Sequence, residues 1–152
     1  ERHFGFYLLC LTGVLVAGWS AFGGGCAIGC SVIHDAVGRQ TYRLFAATGI
    51  LWWITVMLCC VGGWDEIMDV VLWGGMAVEG MLVGYQAYAA RTFCALCMLF
   101  ALLVAVANVV RGHRHAFRAV SLFLFTHAAM WILASTVATE TVLRSQILKM
   151  FD

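Results

Sequence analysis

The stretch Gly84–Leu103, GYQAYAARTFCALCMLFALL, decides how this chain folds. It is apolar on both sides of one arginine, Arg91, and two cysteines follow three residues apart, Cys94 and Cys97. A membrane helix needs about 20 mostly apolar residues. Two such runs meet here, Ile67–Ala90 and Thr92–Val110, so the arginine marks a tight reversal between two spans. Working outward, Phe4–Phe22, Tyr42–Val61 and Phe117–Ala138 have the same character. The expectation is an all-α membrane bundle of five transmembrane helices in a single domain over residues 1–152.

Composition agrees. Of 152 residues, 63% are hydrophobic and 11% charged, and mean hydropathy is +0.93. Soluble domains are nearer half apolar and a quarter charged. A net charge of +1 gives no basic footprint for nucleic acid. Between the first two spans lies GGGCAIGCSVIHDAVGRQ, Gly23–Gln40. Its glycines end the first helix. Val32, Ile33, Ala36 and Val37 then fall at helical spacing, which predicts a short interfacial helix over Ser31–Val37.

Five spans put the Gly23–Gln40 loop, the Arg91 turn and the C-terminus on one side. The N-terminus, the GGWDE turn and the RGHRHAFR loop fall on the other. The densest basic cluster, Arg111–Arg118, makes that second side cytoplasmic. Both spaced cysteine pairs, Cys26/Cys30 and Cys94/Cys97, then share the opposite, periplasmic or extracellular side, where disulfides persist.

Residues i and i+3 share a helix face, so Cys94 and Cys97 are placed to form a disulfide. With Thr92 as N-cap, Cys94 falls in the first turn, where unpaired N–H groups and the helix dipole favour a thiolate. Cys26 and Cys30 sit on glycine-rich backbone, and exchange through a mixed disulfide needs one thiol that travels. A fixed pair beside a loop pair reads as a relay. A static disulfide, a packing role or a four-cysteine zinc site are the competing readings. Cys10, Cys59 and Cys60 read as packing cysteines.

The arrangement resembles the vitamin K epoxide reductase family and its bacterial homologues. The match lies in CSVIHDAVGRQTYRLFAATGIL, Cys30–Leu51, and in Gly84–Leu103. The resemblance implies a membrane thiol oxidoreductase that reduces a quinone, ubiquinone or menaquinone, in the bacterial inner membrane. Cys97 would face the quinone, Cys94 would exchange with the loop through Cys30, and Cys26 would meet a thioredoxin-like protein or fused domain. Two features depart from the pattern. The loop cysteines are closer together than is usual in the family, and Ala101 stands where many members carry a polar aromatic residue.

Glu79 lies near the middle of the third span. An intramembrane carboxyl is a functional residue by default, here a proton carrier or quinone-site group, against the alternative of a helix or subunit contact. Gly80 and Gly84 form a GxxxG step beside it, which favours close helix packing. His127 is the lone histidine within the spans, so no second histidine at matched depth supports haem. Two other functions fit the same sequence. One is a maturation protein of the methylamine-utilisation or DoxX-like type. The other is a structural membrane subunit of a larger electron-transfer or transport complex, its cysteines in static disulfides.

Overall fold

The computed structural model describes residues 2–22 and 39–151, with side chains for residues 4–22 and 43–138. Cys26, Cys30 and the expected interfacial helix over Ser31–Val37 lie outside the described residues. The elements are α1 (Arg2–Phe22), α2 (Arg39–Gly62), α3 (Asp65–Tyr85), a π-helical turn (Gln86–Ala90), α4 (Ala95–Arg111) and α5 (His113–Phe151). No strand occurs among the described residues.

On α1, Phe6, Cys10, Ala17 and Ala21 are buried, while Phe4, Leu8, Leu11, Leu15, Trp19 and Phe22 are exposed. Both stripes follow the helical repeat, and both are apolar. A water-soluble helix would carry polar residues on its outer face, and an apolar exposed surface on this scale marks contact with something other than water. Four helical stretches, Phe4–Phe22, Arg43–Gly62, Asp65–Ala90 and His113–Ala138, are long and apolar enough to cross a membrane. This is consistent with an integral membrane protein. The fifth apolar helix, α4, has 17 residues, about 25 Å at 1.5 Å per residue, against a hydrocarbon core of roughly 30 Å.

Short connections make consecutive helices antiparallel. Gly63 and Trp64 alone join α2 to α3, and Gly112 alone joins α4 to α5. Gly63 has φ 69° and Gly112 has φ 130°, conformations that glycine adopts without a Cβ penalty. At the first of these turns the Trp64 N–H donates to the Cys59 carbonyl at 2.9 Å. The expected GGWDE turn is therefore shorter still, because α3 starts at Asp65.

The core is built on aromatic residues set against glycines. Trp53 is fully buried, and its indole occupies the space that a Cβ at Gly13 would need. Trp52 packs over Gly75 in the same way and donates its Nε1–H to the Val71 carbonyl at 3.1 Å, tying α2 to α3. Trp52 and Trp53 meet edge to face at 4.8 Å, and Phe100 of α4 lies 5.9 Å from Trp53. Trp52 and Trp53 are thus core residues, whereas Trp19, Trp64 and Trp131 are exposed. On the other side of α3, a Cβ at Gly80 would meet Phe123 and Thr126, and one at Gly84 would meet Met130 and His127. The GxxxG step is the seam between α3 and α5, which run parallel.

At the end of the bundle formed by the α2–α3 and α4–α5 turns, charges clamp three helices. Arg111 donates to Asp69 Oδ1 from Nε at 3.0 Å and Nη2 at 2.8 Å, and to Asp65 Oδ1 from Nη1 at 2.9 Å. His115 approaches Asp69 Oδ2 at 3.4 Å and stacks on Trp73 at 5.8 Å. Arg118 covers Trp73 at 5.1 Å. Part of the basic loop is therefore structural. The fifth span ends at Ala138 as expected but starts at His113 rather than Phe117. Its helix begins at His113 and runs 39 residues, about 58 Å, nearly twice the roughly 30 Å of a bilayer core.

Candidate functional site

The site is set by how α3 hands over to α4. Past Tyr85 the helix widens into the π turn Gln86–Ala90, a geometry frequent at functional positions. Arg91 then turns left-handed, with φ 50° and ψ 34°. The Gln86 carbonyl accepts the N–H groups of Arg91 and, at 3.1 Å, of Thr92. The chain runs on to Cys94, the N-cap of α4, which is extended at φ −90° and ψ 119°.

Thr92 is therefore not the N-cap. Cys94 takes that place, and Cys97 becomes the third residue of the helix. The physical reason is Gln86. Its side-chain Oε1 accepts the Cys94 N–H at 2.7 Å, and Gln86 is 2% exposed. A buried acceptor on the preceding helix fixes the start of α4 two residues later than the threonine suggests.

Cys94 is fully buried and disulfide-bonded. Cys10, Cys59 and Cys60 are free cysteines. Cys59 belongs to the core. Cys60 lines a separate cavity of ≈360 Å³ at the far end of the bundle, together with Phe6, Asp65, Met68 and Arg111.

Cys97 opens on an interhelical cleft of ≈100 Å³. Four helices contribute to it: Ser20 from α1, Phe45 from α2, Glu79 from α3, and Cys97 and Phe100 from α4. The two singled-out intramembrane groups, Glu79 and Cys97, thus share one cavity although 18 positions separate them in sequence. Bonds between α3 and α4 give their relative depth. Gln86 faces Cys94, Leu72 faces Asn108 and Asp69 faces Arg111. This register sets Cys97 level with Val83, four residues or about 6 Å of rise above Glu79. Glu79 is 4% exposed, and its Oε2 has no hydrogen-bond partner among the described residues. Burying a carboxyl without partners is costly, and a polar group in the cleft would relieve that cost.

The lining fits a redox-active ring in chemistry, with a thiol, a carboxyl and the aromatic side chains of Phe45 and Phe100. Phe100, three residues after Cys97, is the aromatic wall here, and Ala101 is not among the lining residues. In size the cleft is below the roughly 300–1,000 Å³ of ligand pockets, so a whole headgroup enters only if the rim widens.

Two buried polar residues escaped the sequence reading. Gln86 sits in an apolar run with no motif to mark it. Asn108 donates to the Val104 carbonyl at 2.9 Å and the Leu72 carbonyl at 3.4 Å. A lone amide inside a predicted span was the available signal for both. His127 is engaged by Tyr88, with Oη 2.9 Å from Nε2, and stacks on Phe123 at 5.9 Å. No family model matches the chain, and neither a curated protein nor a solved structure does.

Proposed function

We propose that this protein is a membrane thiol:quinone oxidoreductase of the vitamin K epoxide reductase type, with five membrane-crossing helices. α4 is the short span, within the roughly 17–25 residues that suffice. Electrons pass from a partner dithiol, on a thioredoxin-like protein or fused domain, through Cys26 and Cys30 to Cys94 and Cys97 and on to the acceptor. The partner leaves with a disulfide. The observation that carries this reading is the cleft in which Cys97 and Glu79 meet, beside a disulfide-bonded Cys94.

A bound quinone supplies a two-electron, two-proton acceptor. The chain's own residues supply the rest. Cys97 presents its sulfur to the cleft, and Phe45 and Phe100 wall it against water. Glu79, a turn deeper, holds a proton within the same cavity. In the relay Cys94 exchanges with the loop through Cys30, which makes Cys94 the mixed-disulfide position.

The test is dithiol-dependent quinone reduction by the purified protein in lipid, read optically. Cys94→Ala and Cys97→Ala each abolish it, and Glu79→Gln slows it. Full activity in either cysteine variant refutes the reading. Thiol trapping adds an independent check. A relay shows Cys94 and Cys97 changing state with the redox buffer, and a static structural disulfide does not.

A further inference from the structure

In a capping box, the N-cap side chain bonds the N–H of the third helical residue, and that residue's Glu or Gln bonds back to the N-cap N–H. In α4 those two positions are Cys94 and Cys97. Neither cysteine is a good cap, and Cys94 makes no capping bond from its side chain. The bond that a Glu or Gln at position 97 would make is made from outside, by Gln86 Oε1 to the Cys94 N–H at 2.7 Å.

We propose that Gln86 is a positioning residue for the cysteine pair: it supplies the missing half of the capping box from the π turn and so leaves the third helical position open for a thiol. This rests on the thiol relay of the preceding section. Gln86 is gripped on both sides of that task. Its carbonyl holds Arg91 and Thr92, and its side chain holds Cys94, so one residue fixes the whole 91–94 strap. The strap orients the Cys94 sulfur for exchange. In that step a partner thiolate attacks the Cys94 sulfur of a Cys94–Cys97 disulfide, the mixed disulfide of Cys94 forms, and the Cys94–Cys97 bond breaks. The departing cysteine leaves as a thiolate and takes up a proton, with no net oxidation.

The side chain's charge state matters as well as its shape. Gln86 is neutral and lies against the Cys94 backbone in a buried place. A carboxylate there keeps the acceptor but sets a negative charge beside a sulfur that must pass through a thiolate, and a like charge disfavours the charged form.

The experiment uses the full chain in lipid nanodiscs, reduced with dithiothreitol and alkylated with N-ethylmaleimide between pH 5 and 10. Alkylation at Cys94 and Cys97 is read by mass spectrometry. Gln86→Glu keeps the fold and moves the Cys94 alkylation profile to higher pH, by about one unit. Gln86→Leu, which has no acceptor, loses the difference in rate between Cys94 and Cys97 and slows re-formation of the Cys94 disulfide at least tenfold. A Gln86→Glu profile that overlays the wild type overturns the proposal, even if Gln86→Leu fails to fold. So does a folded Gln86→Leu with wild-type exchange. These readouts need no quinone. Loss of quinone reduction with the Gln86 effects intact faults the oxidoreductase reading, and the converse faults only the role of Gln86.

Discussion

Replacing Gly80 by alanine tests the seam that positions Glu79. A Cβ at Gly80 meets the carbonyl oxygen and, at 3.0 Å, the Cα of Phe123, along with the Thr126 hydroxyl. The first two are backbone atoms, so no rotamer change relieves them, and α5 must move away from α3. Ordinary contact is 3.4–4 Å, so the separation is at least several tenths of an ångström along the seam. Overpacking of this kind costs about 1–3 kcal/mol. Alanine's better helix propensity returns up to ~1 kcal/mol. The net expectation is a loss of up to about 2 kcal/mol, or up to roughly 8 °C in melting temperature at about 2–4 °C per kcal/mol. Gly74 on the same helix is the control, because a Cβ there meets nothing within 4 Å. Gly74→Ala should hold or raise the melting temperature. Gly84→Ala should also lower it, since the nearest neighbour is the Met130 Cβ at 2.7 Å, which no rotamer change moves, with the His127 carbonyl oxygen at 3.3 Å. The assay is thermal unfolding in detergent, followed by circular dichroism. Gly80→Ala melting at or above Gly74→Ala refutes the close seam.

Three further substitutions probe the clamp and the core. Asp69 is 16% exposed at its side chain and Asp65 is 67% exposed, though both pair with Arg111. Asp69→Ala should therefore cost about 1.5–3 kcal/mol, as for a sheltered charged hydrogen bond, whereas Asp65→Ala should cost about 0.2–1 kcal/mol. Equal losses in the same melting assay would show that burial does not govern this clamp. Trp53→Ala removes a fully buried side chain and should cost about 3–5 kcal/mol. Because Trp53 packs against Phe100 of the cleft, it should also slow quinone reduction, and a folded variant with wild-type rate would separate the aromatic core from the site.

Much of the fold was legible because the signal for a membrane helix is local. Fifteen or twenty consecutive apolar residues declare themselves without knowledge of their neighbours, and the ends of α2 and α3 fell within a few residues of expectation. The start of α4 did not. Thr92 has the chemistry of an N-cap, but it lost to a buried amide on another helix, and a single-segment reading cannot weigh such a competitor. The helix of the fifth span runs on past Ala138 to Phe151, because the residues after Ala138 are polar enough to end a span, though not to end a helix.

The sequence by itself determined that the chain is helical and apolar, which runs are long enough to cross a membrane, and that Cys94, Cys97 and Glu79 are its unusual chemical groups. Only the tertiary structure decided that Cys97 and Glu79 open on one cleft, and that Gln86 is the residue against Cys94. Hydropathy sums along a segment and carries nothing about how a helix is rotated. Rotation comes from packing, here from Trp53 over Gly13 and from α5 against Gly80 and Gly84, and it is rotation that turns two distant side chains toward the same cavity.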